Sequence, residues 1–229
     1  GGVGGAPQLG GPKACRGDSD TASIRVRDVK YDPTRTAASP TRTGITEDDT
    51  ADGGQTVASI LAGSVAEAAS VFVEGIAITS LDETNGRWQY NTGGGWVDVG
   101  LVSNTSARLL GTGDSLRFLP DAENGGVSTF EFHAWDQTAG TSGGLGDAST
   151  PGGTTAFSLA SDTASITVSD VNDAPVLDSD GNMTLTNVVE DDVDPSGSTV
   201  ASIILSAGGD RIGDADAGDP EGIAVIGVD

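Results

Sequence analysis

The sequence predicts an all-β chain built from antiparallel β-sandwich repeats in tandem, one complete and two partial. Three observations carry that reading. The chain repeats itself at the length of one sandwich domain, its apolar residues alternate in short runs closed by glycine-rich turns, and stretches rich in Leu, Lys and Glu are missing.

The repeat is read directly from the residues. Residues 1–33 align without a gap to 143–175, and 17 of the 33 pairs are identical. SDTASIRVRDV (19–29) matches SDTASITVSDV (161–171), and Pro33 falls on Pro175. Further on, EDDTADGGQTVASI (47–60) matches EDDVDPSGSTVASI (190–203) at an offset of 143. EGIAITSLD (74–82) matches EGIAVIGVD (221–229) at an offset of 147. Residues 1–44 then form the tail of a preceding repeat, 45–175 a complete repeat, and 176–229 the head of a following one. The opening GGVGGAPQLGG reads as the interior of a longer polypeptide.

Within the complete repeat the strands follow in order. Arg87–Tyr90 and Trp96–Val99 alternate around Asn91–Gly95 and form a hairpin. Ser115–Leu119 and Thr129–Trp135 flank a second glycine-closed turn at 120–126. Thr163–Ser169 alternates Ala164, Ile166 and Val168 with polar neighbours and closes the repeat, one face buried and one wet. Val65–Ala69 is the one helix-like stretch, a single turn at most. By the same alternation His133 is expected on the wet face beside Glu131.

Composition removes several classes of function. Twenty-six Asp and eight Glu face 11 basic residues, giving a net charge of −23. Such a chain repels nucleic acid and anionic lipid. A lone Cys15 allows neither an internal disulfide nor a multi-cysteine zinc site. No apolar run is long enough to span a bilayer. Divalent cations are the natural counter-charge, because Asp-rich loops supply the hard oxygen ligands that calcium prefers. Charge is also polarised: residues 1–44 carry net +3, 45–175 carry −15 and 176–229 carry −11.

SLRFLPDAENGGVSTFEFHAWD (115–136), followed by DVNDAPVL (170–177), resembles the bacterial cadherin-like repeats of giant surface proteins. The resemblance implies a cadherin-like, immunoglobulin-like Greek-key sandwich and an extracellular, non-catalytic role as an adhesin stalk. It also implies a calcium site at the linker between repeats. Matched residue by residue, the linker supplies Asp170, Asn172 and Asp173. The start of the same repeat supplies Glu47 with Asp48, and the following repeat supplies Asp214 and Asp216, with Asp219 close behind. Calcium takes six to eight oxygens, which three converging segments can pool. At the first junction Lys30 and Tyr31 replace Asn172 and Asp173. Its counterpart of the 214–219 loop is read as Ser70–Val73, without an acid.

Other motifs are weaker. Arg16-Gly17-Asp18 aligns with Ser158-Leu159-Ala160, so the repeat does not require it. Gly143–Asp147 reads as a turn rather than a calcium β-roll. Trp88, Trp96 and Trp135 admit a sugar-binding platform, though core packing is their commoner role. Two alternatives to the stalk therefore stand: an extracellular filament assembled head to tail by β-strand addition through residues 18–29, and a carbohydrate-binding module. The partners expected are other copies or repeats of the same protein and cell-surface glycans or proteins.

Overall fold

A computed structural model describes residues 34–35, 40–42, 44–62, 65–66 and 74–227. The RGD tripeptide, Lys30, Tyr31, Ser70–Val73 and the segment 18–29 lie outside the described residues. Strand accounts for 35% of the structure and helix for 6%, with several antiparallel sheets, so the all-β reading holds.

Short strands open the fold: β1 (Thr34–Arg35), β2 (Ile45–Thr46) and β3 (Gln55–Thr56). They are followed by helix α1 (Val57–Leu61), then β4 (Val65–Ala66) and β5 (Gly75–Leu81). The hairpin strands are β6 (Gly86–Asn91) and β7 (Val97–Asp98). Next come β8 (Ala107–Gly111), β9 (Ser115–Pro120), β10 (Gly126–Trp135) and β11 (Leu145–Gly146). The long β12 (Phe157–Ser169) closes this body, and β13 (Val176–Leu177), α2 (Val200–Leu205) and β14 (Ile212–Gly213) follow it.

Two sheets share one core. The larger runs β11-β8-β5-β10-β12-β2 and the smaller β3-β9-β6-β7. Trp88 of the smaller sheet sits edge-on to Phe118 at 5.2 Å and to Phe130 of the larger sheet at 4.9 Å. Its indole N–H is not left unpaired in the core: it donates to the Asp82 carbonyl and to Ser128 Oγ. Ile76, Ile78, Leu116, Ile166 and Val168 complete the same apolar cluster. Apolar side chains alternate on β12 because only one of its faces meets this cluster, as the sequence predicts.

The hairpin forms as expected, with Gln89 opposite Asp98 and Tyr90 opposite Val97. Asn91 Oδ1 accepts from the N–H groups of Gly93 and Gly95, which fixes the turn. The second glycine-closed turn does something different. It carries the chain from β9 in one sheet to β10 in the other, so those two strands are not partners.

Two expectations need correction. Val65–Ala66 is a strand, and the helical turns are instead Val57–Leu61 and Val200–Leu205. Both begin at a threonine whose hydroxyl accepts from the N–H three residues on, Thr56 from Ser59 and Thr199 from Ser202. The repeated sequence TVASI therefore encodes a capped turn, and the β-branched Val and Ile within it did not prevent it. His133 is buried, with Nδ1 2.7 Å from the Ser158 carbonyl. β5 carries a bulge at Thr79 opposite the Glu131–Phe132 step, while β10 keeps its alternation, with Phe130 and Phe132 in the first cluster and Trp135 in a second. Beyond it β10 is covered on both faces. A second cluster, Ala77, Leu109, Trp135, Ala148 and Phe157, fills the far side.

One short ladder recurs at matched positions of the sequence. β1 pairs with β4 as Thr34 opposite Ala66 and Arg35 opposite Val65. β13 pairs with β14 as Val176 opposite Gly213 and Leu177 opposite Ile212. These are the same pairs shifted by 142 and 147 residues, the offsets at which residues 19–29 match 161–171 and 74–82 match 221–229. Residues 34–35 and 41 lie on this body although the sequence places them in the preceding tail: β1 pairs with β4, and Thr41 bridges Ser165.

Phe130→Ala is expected to destabilise the fold by about 3–5 kcal/mol in urea unfolding, through lost transfer energy and the cavity it leaves. Leu101→Ala, at a residue 97% exposed, is expected to change stability by less than about 0.5 kcal/mol.

Candidate metal centre

β2 is the element that positions the site. It runs parallel to the end of β12, with Ile45 beside Val168 and Thr46 beside Ser169. The chain leaves β2 at Glu47, whose N–H donates to the Ser169 carbonyl at 3.1 Å. Its side chain then turns under the linker, where Glu47 Oε1 accepts from the Val171 N–H at 2.7 Å. Glu47 is 1% exposed, and its second oxygen, Oε2, is buried without a hydrogen-bond partner.

The linker follows. Asp170 Oδ1 accepts from the Gly125 N–H at 2.7 Å. Gly125 is required there, since a Cβ would lie 2.6 Å from the Asp170 nitrogen. Asn85 Nδ2 donates to the Gly125 carbonyl at 2.7 Å and holds that turn in place. Asn172 Nδ2 donates to the Asp173 carbonyl. The Asp173 N–H donates to Asp216 Oδ2 at 2.7 Å, which joins the linker to the 214–219 loop. Asp173 Oδ2, like Glu47 Oε2, is buried and has no hydrogen-bond partner. The loop is shaped by its own Asx turn, Asp216 N–H to Asp214 Oδ1 at 3.1 Å.

One carboxylate oxygen from each of Glu47, Asp173 and Asp216 lies within 4.8 Å of the other two. Two ligands at 2.3–2.6 Å on opposite sides of a calcium ion stand about 5 Å apart, so this spacing suits one divalent cation. The electrostatics point the same way. At Glu47 the Val171 N–H lowers the carboxyl pKa, but burial and the nearby Asp170 and Asp173 outweigh it and the net shift is upward. Burial raises the Asp173 carboxyl, and Asp216, Asp48, Asp214 and Asp170 push it further up. Like charges held this close in a partly dry place are costly unless a cation joins them.

Of the eight residues expected from sequence, Glu47, Asp173 and Asp216 form the cluster itself. Asp48, Asp170 and Asp214 lie close enough to act electrostatically on Asp173. Asn172 is bonded within the linker. Asp219 makes only a backbone contact there, its N–H to the Asp216 carbonyl at 3.3 Å. Gly125 was legible only as part of the turn at 120–126 and Asn85 not at all, because nothing in sequence tells that the turn grips Asp170. At the first junction Lys30, Tyr31 and Ser70–Val73 lie outside the described residues.

The tryptophans do not form a platform. Trp88 and Trp135 are buried in the two clusters, and the Arg117 guanidinium carbon stands 4.4 Å from the ring centre of Trp96. No helix of the described residues is long and apolar enough to cross a membrane. No protein-family model, curated protein or solved structure matches the chain.

The raised carboxyls set a pH dependence for the cation-free protein. A carboxyl whose pKa is higher folded than unfolded binds its proton more tightly in the native state, so its contribution to stability falls as pH rises from the unfolded value through the folded one. In chelator, Glu47→Gln is expected to be more stable than wild type at neutral pH. That difference should close as the pH falls into the carboxylate range, as read by urea unfolding at successive pH values. A pH-independent difference, or one of opposite sign, would contradict the repulsion.

Proposed function

We propose that this chain is a non-catalytic, calcium-binding module of an extracellular or cell-surface protein, cadherin-like in arrangement, whose repeats are stiffened by cations bound between them. The observation that carries this reading is the convergence of Glu47, Asp173 and Asp216 from three separate segments, two of them with buried oxygens that have no protein partner. A surface acidic patch suited only to solubility does not bury its carboxylate oxygens. Hard carboxylate oxygens with no sulfur or imidazole favour calcium or magnesium. A loose ring of up to six acidic groups suits the larger, less geometrically demanding calcium ion.

The role follows from where the ligands lie. Glu47 belongs to the sandwich body, Asp173 to the linker and Asp216 to the segment beyond it. A cation held by all three ties that segment to the body and converts a hinge of five irregular residues (171–175) into a fixed joint. Repeats locked in this way make a rod, which fits a stalk that holds an adhesive element away from a cell. An enzymatic role has little support. The single histidine is engaged in the interior with the Ser158 backbone carbonyl. Copies or repeats of the same protein and cell-surface glycans or proteins are the partners this role implies.

Calorimetric titration tests the reading. Wild type is expected to bind calcium with a tightest site that is lost in Asp173→Ala and in Asp216→Ala, while binding of magnesium stays much weaker. Calcium is also expected to protect the 174–176 bonds from limited proteolysis in wild type but not in either variant. Equal calcium stoichiometry in wild type and both variants would refute the assignment.

A further inference from the structure

The chain holds two Asn-Gly pairs, Asn85-Gly86 and Asn124-Gly125. The fold brings them together beside the linker. Asn85 Nδ2 donates to the Gly125 carbonyl at 2.7 Å, and the Asp121 N–H donates to the Asn85 carbonyl at 3.1 Å. An asparagine followed by glycine is the amide most open to attack by its own chain, because no Cβ shields the next backbone nitrogen. In that attack the glycine nitrogen loses its proton to solvent base and bonds to the asparagine Cγ. The Cγ–Nδ2 bond breaks and ammonia leaves. Water then opens the succinimide ring to aspartate or isoaspartate, so the reaction needs nothing but solvent.

At Asn124-Gly125 the fold locks the attacking atom. The Gly125 N–H donates to Asp170 Oδ1 at 2.7 Å. A carboxylate is far too weak a base to take an amide proton, and its negative charge opposes formation of the amide anion. Held in this way, the nitrogen cannot turn onto Asn124 Cγ. Asn124 is held as well, its N–H donating to Asp121 Oδ1 at 3.1 Å and its Nδ2 reaching Asp121 Oδ2 at 3.5 Å. Both residues are only half-buried, so water reaches the turn. Nor can Gly125 be exchanged for a larger residue. The three atoms nearest to a Cβ there all belong to Asp170, at 2.6, 2.8 and 3.0 Å. The contact that protects the pair thus demands the residue that makes it reactive.

We propose that Asn124 is a deamidation site guarded by Asp170, modified when the linker leaves the 120–126 turn. Release of Asp170 frees the Gly125 N–H and removes the adjacent negative charge. The aspartate product adds a carboxylate beside Asp121 and Glu123, which repels a returning Asp170. The isoaspartate product adds a methylene to the backbone ahead of Gly125 and carries its N–H out of place. Either way the change is one-way, and it records the time the linker has spent open. Asn85-Gly86 is held by the sheet instead, with Gly86 opening β6 opposite Pro120. The proposal uses the Asp170–Gly125 contact alone and does not depend on a bound cation.

The test incubates the full chain in mildly alkaline buffer with chelator, as wild type, Asp170→Ala and Asp170→Asn. Peptide mass mapping and isoaspartate assay follow each asparagine, and urea-unfolded wild type gives the unguarded rate. Asp170→Ala removes the acceptor and is expected to deamidate at Asn124 about tenfold faster than folded wild type or more. Asp170→Asn offers an oxygen at the same place and is expected to stay much nearer the wild-type rate. Unchanged near-ultraviolet signals of the buried Trp88 and Trp135 would show that the sandwich is intact. Folded wild type reacting at Asn124 as fast as the unfolded chain would overturn the proposal without recourse to any variant. So would equal Asn124 rates in wild type and Asp170→Ala, or a rise in Asp170→Asn as large as in Asp170→Ala. An equal acceleration at Asn85 would overturn it too, by assigning the change to general loosening of the fold.

Discussion

A carboxylate that leaves water must meet a positive charge or a donor for each of its oxygens, and the junction around Glu47 is organised by that demand. Val171 N–H meets one oxygen of Glu47, and Asp173 N–H meets one oxygen of Asp216. The remaining buried oxygens of Glu47 and Asp173 face one another's negative charge and no protein donor. Everything that brings them there is ordinary β architecture. β2 lies parallel to the end of β12, so the chain must exit at Glu47 directly beneath the linker. Gly125 and Asn85 then hold Asp170 against the neighbouring turn.

The same opening motif is built twice with different surroundings, which separates what local sequence encodes from what packing adds. The threonine-capped turn and the two-residue ladder form at both places with equivalent partners. They need only a hydroxyl cap and a short extended pairing. EGIAI and EGIAV behave differently. The first is the buried strand β5 between β8 and β10, while the described residues of the second form no strand. A central strand exists by virtue of its neighbours, and residues 221–227 have none among the described residues.

Much of this was legible in the residues. Asn91–Gly95 announced the hairpin because a two-sided alternation flanked a glycine run. The β12 pattern showed one buried face because Ala164, Ile166 and Val168 keep strict alternation. The acidic convergence was legible because three motifs, far apart in sequence, each lacked a local use. His133 was misplaced because the face it shares with Glu131 is covered further along β10 by a second cluster around Trp135, and alternation alone does not tell how far a face stays wet. The turn at 57–61 was missed because Val and Ile speak for strand, and a threonine cap with tertiary burial of Val57, Ile60 and Leu61 outweighs that preference.

The central claim, one cation bridging body, linker and following segment, is tested most directly by a crystal structure grown with calcium and measured for anomalous scattering. The account requires a peak bonded at about 2.3–2.6 Å to oxygens of Glu47, Asp173 and Asp216 together. An ion bound to only one of the three segments, or no peak with the carboxylates swung apart into solvent, would contradict it.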